Sequence, residues 1–509
     1  MKALKLFSND QVRLWDQYTI QANAESSIDL MERAAIACTE FIINTYPNKN
    51  EILVFCGCGN NGGDGLAISR LLAEQGKRIT TYTVMHADKQ SDDFIENEKR
   101  LKSRNAVKVF EIFEQKDLPL LNGNELIVDA IFGTGLNKQI IGIAADTINF
   151  INDSQQTVVS IDIPSGLFAD KSSKENTCAV KAHNTICFQV PKLAFLFPEN
   201  GQFVGKWSIV DIGLSNAYYE ETETKNYILD HVFIQSLIKK REKFAHKGNF
   251  GHALIVAGSK GKMGAAVLSG SAALRSGLGL LSVQTPAVGQ VIIQSKIPEA
   301  MHISDDNETI ISNFANIDRF DAIGMGPGIG TEATTVKALE SLLNLNSKPL
   351  VLDADALNCI SINKSLLTLL PENTILTPHI KEFERLVGKT NNDFERQQLQ
   401  IDFSVKHKVI IVLKGANTCI TSPDGCSYFN NNGNPGMAKG GSGDVLTGLV
   451  TGLLAQGYEA IQAALMAVFI HGRSGDYAAN KFSQSAMTAS DLINCFSDVF
   501  KEFENETTK

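Results

Sequence analysis

Short apolar runs recur along this chain, each stopped by glycine, proline or polar residues, with helical stretches between them. The stretch "EILVFCGCGNNGGDGLAISRLLAEQGKRITTYTV" reads as strand, glycine loop, helix and strand, and "ELIVDAIFG", "TVVSIDIPS" and "HNTICFQV" continue the series. Strands alternating with helices imply a mostly parallel sheet with ligands gathered at its carboxyl edge. A second series follows the polar, acidic "SNAYYEETETKNY", with "HALIVAGS", "GLLSVQTP", "FDAIGMGPGIG", "PLVLDADAL", "TILTPH" and "KVIIVLKG" as its apolar runs. After these, "CITSPDGCSYFN" predicts a hairpin turning on Pro423, Asp424 and Gly425. At 509 residues the chain is too long for one core. We expect two α/β domains, at 1–215 and 229–509, joined by a linker at 216–228.

Composition narrows the class of function. Net charge is -9 and no basic stripe appears, so nucleic acid is not expected as a partner. The N-terminus "MKALKLFSNDQVRLWDQ" lacks the apolar core of a signal peptide, and no apolar run reaches membrane-spanning length. A soluble, cytoplasmic protein without a membrane partner is expected, and a homo-oligomer. Of the nine cysteines only Cys56 and Cys58 form a close pair, and no second pair stands at zinc-site spacing. They read as reduced thiols of a cytosolic enzyme.

The stretch "GMAKGGSGDVLTG" holds Gly440, Gly441, Ser442 and Gly443 directly before Asp444 and a strongly apolar helix. Free N–H groups at a helix start attract anions, and glycines let the backbone approach a phosphate. A carboxylate at that edge repels phosphate, which makes sense if Asp444 takes a proton from an attacking hydroxyl. An ordinary first-turn acid favoured by the helix dipole is the other reading. Lys439 could draw charge toward the cradle or stand solvated. "GSKGKMG" is not a P-loop, since two residues rather than four separate Gly258 from Gly261 and Met263 replaces Ser/Thr. In the first half, "GCGNNG" satisfies G-x-G-x-x-G, but the acid expected near the end of "ITTYTV" is missing, which disfavours an ordinary dehydrogenase.

The "KGGSGDVLTG" segment resembles the anion hole and base of the ribokinase-like superfamily. Within it, "HKGNFGHALIVAGS", "GAAVLSGSAALRSGLGL", "GMGPGIG", "LDADALN", "TPHIKEFERL", "VLKGANT" and "NPGMAKGGSGDVLTG" together resemble the ADP-dependent NAD(P)H-hydrate dehydratases. The resemblance implies a ribokinase-like α/β domain using ADP, with magnesium offsetting phosphate charge. It implies that Lys414, Gly415, Ala416, Asn417 and Thr418 hold the nucleotide with Gly440, Gly441, Ser442 and Gly443. Ala257, Gly264, Gly328 and His379 would line the hydrate pocket, and Asp444 would be the catalytic base. His379 taken alone reads as a packed loop histidine.

"NNGGDG", "LMERA", "DAIFGTGLNKQI", "IDIPSGL" and "VGKWSIVDIGL" resemble the NAD(P)H-hydrate epimerases, which implies a Rossmann-like three-layer α/β/α domain. By that resemblance Asn61, Asp129 and Ser165 hold potassium. Asn60, Asn61, Gly62, Gly63, Asp64, Gly133, Thr134, Gly135, Leu136, Asn137, Lys138, Gln139 and Asp162 contact the hydrate, with Asp162 as acid/base. Related sequences often carry Arg after "GTGL"; here Asn137 and Lys138 follow, which puts phosphate contacts there in doubt. The implied activity is bifunctional: epimerisation of R and S hydrates, and dehydration of the S form at the expense of ADP. The alternatives are a small-molecule kinase of the same superfamily, which leaves the first 214 residues unexplained, and a nucleotide-sensing first module.

Overall fold

The computed structural model describes residues 3–103, 107–174, 176, 178–314, 316–345 and 347–506. Cα packing divides the chain into two compact units, one chiefly Lys5–Thr224 and the other chiefly Lys225–Asn391 with the chain from Glu395 on.

In the first unit seven parallel strands form one sheet: β1 (Glu51–Cys56), β2 (Arg78–Val84), β3 (Lys108–Ile112), β4 (Leu126–Ala130), β5 (Thr157–Ile161), β6 (Asn184–Phe188) and β7 (Lys206–Val210). Their order is β3-β2-β1-β4-β5-β6-β7. Residues alternate across a strand, so β1 feeds two cores. Ile52, Val54 and Cys56 pack with Leu66 and Ile68 of the helix Asn60–Glu74, whereas Leu53 and Phe55 pack with Ile148 and Ile151 of the helix Ile143–Asp153. This is the expected three-layer α/β/α arrangement. The chain leaves β1 toward one edge and returns at β4 on its other side, which opens a crevice at the carboxyl ends of these two strands.

The second unit repeats the logic with β8 (Asn226–Ile228), β9 (His252–Val256), β10 (Leu280–Thr285), β11 (Met301–Ser304), β12 (Ala322–Met325), β13 (Leu350–Leu352), β14 (Ile375–Leu376), β15 (Ile410–Leu413), β16 (Thr418–Thr421) and β17 (Ser427–Asn430). They run in the order β8-β17-β16-β15-β14-β13-β12-β9-β10-β11, with the switch point between β9 and β12. Ala253 and Ile255 face the apolar helices Met263–Arg275 and Ser442–Ala455, while Leu254 and Val256 face the opposite core. The hairpin is present as β16 and β17, which pair antiparallel around Gly425 at φ 82°. Residues 216–228 contain a helix at Asn216–Glu221 and the strand β8. All nine cysteines are free, and no described helix is long and apolar enough to cross a membrane.

Candidate active sites

At the first switch point, the turn after β1 and the turn after β4 meet backbone to backbone. A Cβ at Gly57 would lie 1.9 Å from the Ile131 carbonyl oxygen, and one at Gly62 would lie 1.9 Å from that of Gly57. Only glycine permits this approach. The helix Asn60–Glu74 starts here; Asn60 is exposed, and Asn61, Gly62, Gly63 and Asp64 are buried in its first turn. Asp129, fully buried at the end of β4, accepts from Ser160 Oγ (2.7 Å), Ser165 N–H (2.9 Å), Ser165 Oγ (2.5 Å) and Ile131 N–H (3.3 Å). Burial pushes its carboxyl up, and these donors oppose but do not cancel the shift. Asn61 lies against Gly133, where an added Cβ would be 3.3 Å from the Asn61 Cβ. Its Nδ2 is buried with no hydrogen-bond partner among the described residues. Asn61 thus lies against Gly133, and the N–H of the preceding Phe132 donates to Ser165 Oγ at 2.8 Å. Beyond Thr134 and Leu136, Gly135, Asn137, Lys138 and Gln139 are exposed, and the Asn137 carbonyl accepts from Lys171 Nζ at 3.1 Å.

Asp162 leaves the end of β5 in the left-handed region, φ 65°, and its N–H donates to the Ile186 carbonyl at 2.7 Å. One carboxylate oxygen meets Lys192 Nζ at 2.6 Å, and Lys192 is only 3% exposed. Burial alone would lower the Lys192 pKa, but Asp162 opposes it and the ammonium is held above the usual lysine range. Two further carboxyls feel Asp162. Asp64 is pushed well up by burial and then by Asp162, and Asp16, on the helix Asn9–Asn23, is pushed up to about 7 by the same two causes.

In the second unit Ala257 follows β9 and Gly328 follows β12, on either side of the other switch point. Gly258 N–H donates to the Pro327 carbonyl (2.8 Å) and Ser259 Oγ to that of Gly328 (2.7 Å). Gly328, at φ 68°, faces Lys262 and Ala265, and Gly264 is exposed in the first turn of the next helix. His379 follows β14 and caps the helix Ile380–Val387: its Nδ1 accepts from Glu382 N–H at 3.1 Å, which places the neutral ring's proton on Nε2. It sits one bridge away from Lys414 at the end of β15.

The glycine stretch at 440–443 opens a helix. It turns through Gly441, φ 94°, into the buried helix Ser442–Ala455. Beside Gly443, Lys414 Nζ donates to Asp353 Oδ1 (2.7 Å) and Thr447 Oγ donates to Asp353 Oδ2 (2.7 Å). Asp444 is pushed up to about 6, first by burial and then by the Asp353 carboxylate, with Lys414 opposing. Gly415–Thr418 forms a tight turn, Thr418 Oγ donating to the Gly415 carbonyl at 3.1 Å, with Gly415 and Ala416 exposed. Asp355 connects this cluster to the Gly328 side, accepting from Gly330 N–H at 2.9 Å and standing 3.5 Å from Lys262 Nζ. Lys439 is exposed, and its Nζ donates to the carbonyls of Ser485 and Met487, both at 2.6 Å.

Sequence reasoning missed Lys192, Asp16, Asp353 and Thr447. Asp353 lies in the quoted "LDADALN" at the carboxyl end of a strand, where catalytic groups gather, so position could have found it. Nothing local marks Lys192.

Residues 253–497 match a family model described as NAD(P)H-hydrate dehydratase, and residues 27–194 match one described as YjeF-related protein N-terminus. The chain is 34% identical over 500 residues to a Moorella thermoacetica protein named bifunctional NAD(P)H-hydrate repair enzyme Nnr, covering 94% of this chain and 93% of that one. A Coxiella burnetii protein of the same name is 33% identical, covering 96% of this chain and 98% of its own. Among solved structures, a ribokinase-like superfamily protein from Enterococcus faecalis is 29% identical at a TM-score of 0.50, covering 55% of this chain and 98% of that chain.

Proposed function

The chain belongs to the bifunctional NAD(P)H-hydrate repair enzymes, and on that premise we propose how its two units divide the reaction. The first epimerises the R and S hydrates of NAD(P)H. The second dehydrates the S hydrate to NAD(P)H, converting ADP to AMP and phosphate. The observation that carries this reading is that a single alignment at 34% identity runs through both units.

In the hydrate, one ring carbon bears both the hydroxyl and a bond to the ring nitrogen. For epimerisation, the nitrogen lone pair forms a C=N bond as the C–O bond breaks, and the hydroxyl leaves as water with a proton from the acid/base group. Water then adds to either face and returns that proton. Asp162 is assigned this exchange, supported by its place at the carboxyl edge of the sheet beside Asp64 and the "NNGGDG" turn. Asn60–Asp64 and Gly133–Gln139 are assigned to the hydrate.

Potassium fits the residues present. Asn61 has a buried amide nitrogen without a partner; turned over, the amide offers an oxygen, and with the oxygens of Asp129 and Ser165 such donors suit a hard cation. When bound it would supply positive charge beside the "NNGGDG" turn.

For dehydration, Asp444 takes the hydroxyl proton and the oxygen attacks the terminal phosphorus of ADP, displacing AMP. The nitrogen lone pair then expels phosphate, and loss of a proton from the neighbouring ring carbon restores the double bond. Phosphorylation turns a poor leaving group into a good one. Magnesium enters with the nucleotide, and no residue of this chain is assigned to it. Ala257, Gly264, Gly328 and His379 are assigned to the hydrate, and Lys414–Thr418 with Gly440–Gly443 to ADP. Domain limits of 1–215 and 229–509 belong to the same proposal. So do a cytoplasmic location, supported by nine free thiols, and a homo-oligomer, which light scattering tests.

The test has two arms. Purified R hydrate without ADP should yield S, faster in potassium than in a large organic cation. Purified S hydrate with ADP should yield reduced nicotinamide, AMP and phosphate in equal amounts. Failure of the first arm removes the epimerase reading, and failure of the second the dehydratase reading.

A further inference from the structure

Lys192 follows β6, and no motif of the chain singles it out. Its side chain is buried to 4% exposure against a side chain of 13% exposure, that of Asp162. An ammonium so placed loses its hydration and needs a partner. Here Nζ lies 2.6 Å from Asp162 Oδ1, while Oδ2 has no hydrogen-bond partner among the described residues. The backbone fixes the same carboxylate from below: Asp162 holds φ 65°, bonds to Ile186 of the neighbouring strand, and precedes Ile163–Pro164. Strained backbone of this kind persists where the surroundings over-determine it, and it gathers at functional sites.

The charge count gives the pair a purpose. Asp16, Asp64 and Asp162 act on one another, and Lys192 is the cation whose charge reaches Asp162 and Asp16. Lys192 Nζ at 2.6 Å and Phe188 N–H at 3.5 Å both address Oδ1, so the two oxygens of Asp162 are not equivalent.

We propose that Lys192 is a positioning residue for epimerisation: its ammonium engages Asp162 Oδ1 and leaves Oδ2 as the oxygen that exchanges the hydroxyl proton. Lys192 itself transfers nothing. The inference rests on the epimerase reading above, and the experiment separates the two.

Full-length wild type, Lys192→Met, Asp162→Asn and the double variant are compared with R hydrate, without ADP, by chromatographic separation of the epimers. Lys192→Met should lower kcat about 10²-fold while KM stays within threefold, because the group acts on the exchanging carboxylate. The double variant should equal Asp162→Asn within threefold, because Lys192 has nothing left to hold. Lys192→Met within threefold of wild type in kcat, or a KM effect alone, overturns the proposal. So does a double variant at least tenfold slower than Asp162→Asn. If Lys192→Met fails to fold around its unpaired carboxylate, the charge-neutral double variant against Asp162→Asn decides by the same two outcomes. Wild type that does not interconvert the epimers would instead defeat the epimerase reading itself.

Discussion

Asp444 stands where a carboxylate is least comfortable, half-buried at an anion-attracting helix start with Asp353 beside it. Its carboxyl is held at about 6, so as the proposed base it is in its proton-accepting form chiefly above that pH. Dehydration at saturating ADP should therefore fall with unit slope as pH drops below about 6 and level off above it. A profile flat down to pH 4.5 would remove Asp444 as the base. Asp444→Asn should cut dehydration roughly 10²- to 10⁴-fold while ADP binds at least as tightly, as equilibrium binding would record. The sign of the stability effect also follows. A carboxyl whose folded-state pKa exceeds its unfolded value of 3.8 costs stability above that value, and the cost vanishes as both states protonate. The asparagine variant should melt no lower than wild type at neutral pH, with any advantage gone near pH 3.8. Asp444 was legible because glycines, one acid and an apolar helix are local signals. Lys192 was not, because its meaning lies in a partner 30 residues away, Asp162; Asp353 was legible by its place at a strand end, but not its pairing with Lys414, 61 residues away.

The elements were legible wherever period and punctuation agreed. The glycine turns, the hairpin and the strand alternation follow from local chemistry, whereas the strand orders that create the two switch points depend on packing across the whole unit. Composition also misleads locally. The acidic "SNAYYEETETKNY" conceals Tyr218 and Tyr219, whose rings lie 6.0 and 5.6 Å from Trp15. At the second site, the helix Ser442–Ala455 carries the cradle and packs on the helix Met263–Arg275 through Gly448, where a Cβ would fall 2.0 Å from the Ser269 carbonyl oxygen. Gly448→Ala must force these helices apart, at a cost of about 1–3 kcal/mol. We expect a lower thermal midpoint and a raised KM for ADP, because the displaced helix presents the cradle. An unchanged melting curve would show that the two helices slide without cost.

Each unit of the molecule has its own sheet and its own cores, so each should respond to its own substitutions. Calorimetry of the full chain should resolve two transitions, with Gly448→Ala lowering one. Asp64→Asn should raise the other at neutral pH, because burial and then Asp162 hold that carboxyl well above its unfolded value and asparagine carries no charge to bury. The gain should close as pH falls toward the ordinary carboxyl value of 3.8, and both changes moving one shared transition would contradict separate cores. The central claim is that this chain repairs both epimers through two separate sites. The direct measurement is the endpoint of reduced-nicotinamide absorbance when an equal mixture of R and S hydrates, pre-formed and free of spontaneous interconversion over the assay, meets excess ADP and magnesium. On that claim, wild type should recover fully, Asp162→Asn should stall near half, and Asp444→Asn should recover almost none over the same interval. Recovery of only half by wild type, or full recovery at wild-type rate by Asp162→Asn, would contradict it.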